Sequence, residues 1–189
     1  SFRAPRGQVT ALLGGNGAGK TTTIGMLLGL VLPTGGSIRV LGEDMLRHRF
    51  RVLPRLNVSS PYVDLPPRLT VRQHLRVYGE LYGQIGRLAD DLQLGEFIDR
   101  KVGSLSAGQK TRVALAKALI NDPDVLFLDE PTASLDPDTA DWVRGYLAAY
   151  QGRTDAAILL ASHNMSEVER LAHDVLMLRL GQLVDRGPP

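Results

Sequence analysis

A chain of 189 residues that is 43% hydrophobic and 22% charged has the balance of an ordinary soluble globule, long enough for one α/β domain or one with a small subdomain. A formal net charge of +2 makes no general case for binding nucleic acid or a membrane surface, so no nucleic-acid partner is expected. With no cysteine, disulfides and thiolate metal sites are excluded; the apolar runs 26–32 and 156–161 are too short to span a bilayer, and no signal-peptide pattern opens the chain.

Residues 1–7 are polar, with Arg3 and Arg6 read as solvated, so the first strand is expected almost at once, in the apolar run 9–13. Gly14-Gly15-Asn16-Gly17-Ala18-Gly19-Lys20-Thr21-Thr22 follows, and behind it Ile24, Leu27, Leu28 and Val31 recur at helical spacing. This is the strand–GxxxxGK[ST]–helix order of a phosphate-binding loop. Glycines let the backbone curl with positive φ and bring its N–H groups close to anionic oxygens, and the helix start adds unpaired donors. Lys20 supplies a point charge for the β- and γ-phosphates, and the Thr21 hydroxyl is a ligand for Mg²⁺. By average residue usage a chain this long matches the pattern by accident on the order of once in a hundred, and the strand and helix on either side reduce that further.

The first helix is expected to stop at Leu32-Pro33-Thr34-Gly35-Gly36, and 37–41 alternates like a strand closed by Gly42. Residues 44–55 are basic (Arg47, His48, Arg49, Arg51, Arg55) and read as a solvated face, with Pro54 arguing against a central strand. The stretch 57–67 reads as an irregular, proline-punctuated loop. Thr70-Val71-Arg72-Gln73 is a capping box, and its helix places Val71, Leu75, Tyr78 and Tyr82 on one stripe; a less regular helical stretch follows near 88–98. Ser106-Ala107-Gly108-Gln109 is a second capping box, heading a helix over 110–120. The continuous apolar run 125–128 reads as a buried parallel strand that discharges into Asp129-Glu130. Asp136-Pro137 caps a helix with Ala140, Val143, Leu147 and Tyr150 on one face. A strand over 156–161 ends at Ser162-His163, a short helix covers 166–171, and 175–178 with 183–184 read as a hairpin around Gly181.

Strands alternating with helices predict a mostly parallel sheet covered on both faces, whose ligands bind at the strands' carboxyl ends. Three expected strands end at chemistry: the glycine loop, Asp129-Glu130 and His163. Asp129 is placed to serve Mg²⁺ opposite Thr21, Glu130 to polarise a water for in-line attack, and His163 to donate a hydrogen bond to the γ-phosphate. Alone, an acidic pair after a strand is more often a strand end reaching solvent, and a lone histidine is more often structural; the phosphate loop reverses that weighting.

Gly14–Thr21, Leu105-Ser106-Ala107-Gly108-Gln109, Leu126-Phe127-Leu128-Asp129-Glu130, Ser134-Leu135-Asp136 and Ser162-His163 stand in the order found in ABC ATPases. Over nearly its whole length the chain resembles the nucleotide-binding domain of an ABC transporter, a P-loop NTPase-type α/β fold with a helical subdomain carrying the signature. The resemblance divides the chain into a phosphate-loop part of the core (1–56), a helical subdomain with the Asn57 loop and the signature (57–121), and the rest of the core (122–189). It implies ATP and Mg²⁺ as cofactors, and Glu130, His163 and Lys20 as the residues that act on the γ-phosphate. It places Ser106, Gly108 and Gln109 against the ATP of a second, head-to-tail copy, with Asp136 in the loop that communicates across the dimer. Asn57 falls where the family has a glutamine that senses Mg²⁺ and water and meets the membrane partner. Ala107 replaces the usual second glycine of the signature, and Gly15 a frequent proline.

Family members also carry preceding strands with an aromatic residue that stacks on adenine; the resemblance therefore implies an N-terminally truncated piece with weakened adenine binding. Residues 57–75 resemble the drug- or polysaccharide-export branch, with Arg68 near the surface that meets a permease. The implied function is ATP hydrolysis at the cytoplasmic face of a membrane, powering a transporter, an exporter by the branch resemblance, through a transmembrane permease subunit or domain. A soluble ABC ATPase of DNA repair, chromosome maintenance or translation is the alternative, opposed by the compact interval between loop and signature, which holds no sustained heptads. A nucleotide-binding module without turnover is a third, opposed by the intact Lys20, Asp129, Glu130 and His163.

Overall fold

Val9–Leu13 (β1), Val125–Asp129 (β5) and Ala157–Ser162 (β6) are nearly continuous apolar runs, the pattern of strands buried on both faces. In the computed structural model, which describes residues 1–60, 65–82 and 85–189, they lie side by side. The sheet has the order β4-β5-β6-β1-β7-β8, with β4 at Leu56–Ser59, β7 at Asp174–Arg179 and β8 at Gln182–Gly187. All neighbours are parallel except β7 and β8, which form the expected hairpin. The fold class is the one expected from sequence, a mostly parallel sheet between two layers of helices.

Strand alternation divides the core. Leu126, Leu128, Ile158 and Leu160 face Val113, Leu115 and Leu119 of α5 (Ala107–Leu119), Val143 and Leu147 of α6 (Pro137–Arg153), and Val71 and Leu75 of α3 (Val71–Tyr82). Val125, Phe127, Leu159 and Ala161 face Ile24 of α1 (Lys20–Leu27) and Met45 and Val52 of α2 (Met45–Val52). Both capping boxes form. Gln73 N–H donates to Thr70 Oγ1 at 3.2 Å and Thr70 N–H to Gln73 Oε1 at 2.9 Å; in α5 the reciprocal pair between Ser106 and Gln109 is 3.2 and 3.1 Å. Asp136 caps α6 through Thr139 N–H at 2.9 Å.

Several expectations are corrected. The stretch from residue 57 is not loop at its start: Leu56–Ser59 pairs in parallel with β5 as an edge strand, although Asn57 and Ser59 are poor strand formers, because pairing and burial of Leu56 outweigh propensity. The expected Tyr62-Val63-Asp64 part of that loop lies outside the described residues. Of 37–41 only Arg39–Val40 (β2) pairs, with Glu43–Asp44 (β3), across a turn where Leu41 and Gly42 both take positive φ. The basic stretch folds as α2, capped by Asp44, and leaves Arg47, His48, Arg49 and Arg51 exposed as expected. The helix expected over 88–98 is α4 at Ile85–Asp91, broken at Gln93 (φ 54°) before a 3-10 turn at Gly95–Phe97. Arg6 is exposed but not merely solvated: it donates to Asp155 at 2.8 Å and Asp124 at 2.9 Å, tying the first residues to the starts of β5 and β6.

His74 completes the α3 stripe in place of an apolar residue. It is buried, its Nε2 has no partner, it packs on the Tyr78 ring and it lies near Lys117 of α5. Burial first, and the Lys117 charge second, hold the imidazole below its ordinary value of 6.5. The folded state therefore binds this proton less readily than the unfolded chain, so the stability His74 contributes is present above 6.5 and lost as pH falls below it. The urea midpoint is expected to fall more between about pH 7.5 and about pH 5.5 in the parent than in His74→Leu. Asp129 and Glu167, raised by burial, act in the opposite sense but are common to both proteins. Equal falls would remove His74 from the pH response.

Candidate functional site

Parallel pairing aligns three strand ends. Leu13 of β1 is in register with Ser162 of β6, Asp129 of β5 with Ala161 of β6, and Glu130 N–H donates to Ala161 C=O at 2.8 Å. The loop after β1 wraps into α1 with Gly17 and Gly19 at φ 78° and 100°. No side chain caps α1, so the first-turn N–H groups that lack intrahelical partners face the loop. An open cavity of about 290 Å³ sits there, lined by Gly15, Asn16, Gly17, Ala18, Gly19, Lys20, Thr21 and Thr22, and by Glu130 from the neighbouring strand end. Gly14 lies at its base: Lys20 Nζ donates to Gly14 C=O at 2.6 Å and more weakly to Gly15 C=O at 3.4 Å.

The charged side chains converge. Lys20 Nζ is 3.2 Å from Glu130 Oε1, and Glu130 Oε2 is 2.7 Å from His163 Nδ1. The Thr21 hydroxyl donates to Asp129 Oδ2 at 3.0 Å, while Asp129 Oδ1 is buried with no partner. Burial pushes the Asp129 carboxyl up, the Thr21 hydrogen bond pulls it down, and the adjacent Glu130 charge adds to the rise. An orphaned carboxylate oxygen beside a hydroxyl, at the edge of a phosphate-binding cavity, fits the hard oxygen donors Mg²⁺ takes together with phosphate oxygens and water. A carboxylate held between a cation and an imidazole next to a phosphate cradle is equipped to orient and deprotonate a water.

The other expected site residues are elsewhere. Ser106, Gly108 and Gln109 do not line the phosphate-loop cavity. Gln109 Oε1 closes the cap of α5, so that oxygen is engaged within its own helix. Gly108 packs on the first turn of α6, where an added Cβ would lie 2.8 Å from Thr139 Cγ2. Asn57 is a correction. It sits within β4, its Nδ2 donates to Lys117 C=O at 3.1 Å and to Asn121 Oδ1 at 2.8 Å, and its Oδ1 accepts from Val58 N–H. Its amide anchors the edge strand to the end of α5 and is engaged away from the Thr21 and Asp129 oxygens. The residues beside the site at this strand's end are Ser59 and Ser60, which with Glu130, Lys110, Thr111 and Ser134 line a second cavity of about 520 Å³.

Two features escaped the reading of the sequence. The β7–β8 turn braces the loop: Gly181 N–H donates to Ala18 C=O at 2.8 Å, and a Cβ at Gly14 would lie 2.5 Å from Leu178 C=O. Glu167 on α7 (Met165–Leu171) is buried behind the site; only an acid about one turn past His163 marked it, a signal shared by any surface helix. The space around the glycines makes a sharp contrast. Gly15 has nothing within 4 Å of its added Cβ, whereas Gly14 meets backbone oxygen and the Ala18 side chain at 2.5 and 2.7 Å. Gly14→Ala is expected to weaken binding of a fluorescent nucleoside triphosphate by at least about tenfold, or about 1.4 kcal/mol, and Gly15→Ala by much less. Equal effects in equilibrium titrations would contradict the packing.

Comparisons with known proteins agree with this geometry. The family model described as ABC transporter matches residues 1–133. The Nod factor export ATP-binding protein I of Paraburkholderia xenovorans (strain LB400) is 40% identical over 199 aligned positions, covering all of this chain and 64% of that protein. The protein of the same name from Ralstonia nicotianae is 38% identical, with 61% of its length covered. The chain thus spans under two thirds of these relatives. Among solved structures, an ATP binding subunit of an ABC transporter superposes with a TM-score of 0.87 at 27% identity, covering 99% of this chain and 81% of that one. Clostridium perfringens cbiO1, part of the ABC transporter complex cbiONQ, gives a TM-score of 0.85 at 27% identity, with 100% and 80% covered. With a phosphate loop, an acidic pair and a histidine at three adjoining strand ends, and a family match over most of its length, the chain belongs to the ABC transporter family.

Proposed function

We propose that this chain is the ATP-binding and hydrolysing part of a membrane ABC transporter, an exporter by its likeness to the Nod factor export proteins. The observation that carries the reading is Glu130, held 3.2 Å from Lys20 and 2.7 Å from His163 at the mouth of the phosphate loop. In this reading residues 14–22 bind the triphosphate through backbone N–H groups and Lys20. An arriving γ-phosphate competes with Glu130 for the Lys20 ammonium and frees the carboxylate to take a proton from the attacking water. His163 hydrogen-bonds the γ-phosphoryl oxygens, and ATP and water leave as ADP and phosphate. Thr21 and Asp129 would hold Mg²⁺, which would supply positive charge to neutralise the triphosphate.

The signature residues Ser106 and Gly108, remote from the cavity of their own chain, serve the ATP of a second copy in a head-to-tail homodimer, with Gln109 supporting them through the cap. Movement of the 57–121 part against 1–56 and 122–189 transmits the cycle. No helix among the described residues is long and apolar enough to cross a membrane. The spanning part is a permease subunit or domain, met from the cytoplasmic face.

Glu130→Gln is expected to keep nucleotide affinity and lose turnover by about 10²- to 10⁴-fold, the range of general-base contributions. Phosphate release at the parent rate would remove Glu130 as the base. For the composite site, the parent's rate per chain is expected to rise with protein concentration, and Ser106→Arg to abolish turnover while nucleotide binding by the monomer survives. A rate per chain independent of dilution would defeat the head-to-tail arrangement.

A further inference from the structure

Glu130 and His163 make the contact that matters, and the loops after β5 and β6 set where their backbones stand. Glu130 sits at φ +50°, a strained backbone region for a residue with a side chain, and more than half of the His163 side chain is exposed. Behind them Glu167 of α7 is 1% exposed. Its Oε1 accepts from Thr132 Oγ1 at 3.0 Å and its Oε2 from Ser162 Oγ at 2.5 Å, and both hydroxyl residues are themselves buried. Thr132 lies two residues after Glu130, and Ser162 one residue before His163. Ser162 Oγ also accepts from Asn164 N–H at 3.0 Å, so the network grips the chain on both sides of His163.

We propose that Glu167 is a positioning residue: its carboxylate clamps the loop after β5 to the loop after β6 and thereby sets the Glu130–His163 contact on which the proposed hydrolysis rests. A buried carboxylate is a costly way to fasten a fold, since apolar residues of similar volume commonly do as well or better. What it supplies here is direction. Two oxygens at a fixed separation accept from one hydroxyl on each loop, and a shift of either loop breaks a bond that has no water to replace it. Apolar packing at this place would tolerate the sliding of one loop past the other.

The experiment compares Glu167→Ala, Glu167→Gln and Thr132→Val in the full chain. Glu167→Ala is expected to lower kcat for ATP about 100-fold, the scale for misplacing a reacting group by about 1 Å, while nucleotide affinity stays within about twofold because the phosphate loop is untouched. Glu167→Gln, which keeps the size and one acceptor, restores most of kcat; Thr132→Val, which removes one donor at nearly constant volume, gives an intermediate loss. A second readout is independent of turnover: the ring resonances of His163, identified through His163→Gln. In the parent, Glu130→Gln shifts them; on the Glu167→Ala background it no longer does. A folded Glu167→Ala or Thr132→Val protein with kcat within about twofold of the parent overturns the proposal. So does a Glu130→Gln shift at His163 that persists without Glu167. Failure of the parent to hydrolyse ATP would defeat the functional reading instead, and the resonance experiment would still decide the role of Glu167.

Discussion

Because β5, β6 and β1 run parallel in neighbouring places, whatever follows each of them is delivered to the same edge of the sheet. The registers Leu13 with Ser162 and Asp129 with Ala161 leave no freedom in this: a slip of one residue would turn Glu130 or His163 to the opposite face and drive Phe127 or Leu160 into the core layer shaped for other side chains. The apolar alternation that builds two separate core layers is thus the same constraint that assembles a cation, two carboxylates and an imidazole within hydrogen-bonding reach. Stability of the core and geometry of the site are one requirement on the sequence.

That shared requirement explains what could be read from residues alone. The phosphate loop, both capping boxes, the apolar runs 125–128 and 156–161 and the hairpin are local patterns, each stating its own conformation over a few neighbours. Their convergence followed from one rule about parallel sheets. The strand at Leu56–Ser59 was hard to read because its alternation runs for only four residues and two of them, Asn57 and Ser59, are poor strand formers; it exists because β5 offers an open edge and Leu56 a place in the core. The misplaced expectation for Asn57 has the same root, since a residue assigned to a loop by family position proves to sit mid-strand with its amide engaged by Lys117 and Asn121. Glu167 and Gly181 act through partners 35 and 163 positions away, Thr132 and Ala18, and no window of sequence contains both members of either pair.

The loop owes its shape to neighbours as much as to its own glycines. Gly14 is required by the carbonyl of Leu178 and the methyl of Ala18, while Gly19 combines φ 100° with the close approach of Gly181. The turn that makes this approach carries Leu180 at φ 49° and Gly181 at φ 78°, the two positive values of a type I′ hairpin. The antiparallel pair at the end of the chain therefore holds the cradle from behind, which gives a physical reason for a sheet otherwise parallel to end in a hairpin.

Electrostatics then sets the resting state. Lys20 is almost fully buried, and an ammonium there must be paired. Two loop carbonyls and Glu130 meet that need before any anion arrives, and Glu130 in turn bridges to His163. In the proposed function, a phosphate entering the cradle brings more negative charge to Lys20 than a single carboxylate does, and so would displace Glu130 from the lysine and leave it beside His163. Under the proposed hydrolysis, a Glu130 still paired with Lys20 would be poorly disposed to activate water. The pairing that makes a buried lysine tolerable is, on this account, what ties activation of the carboxylate to occupancy of the loop.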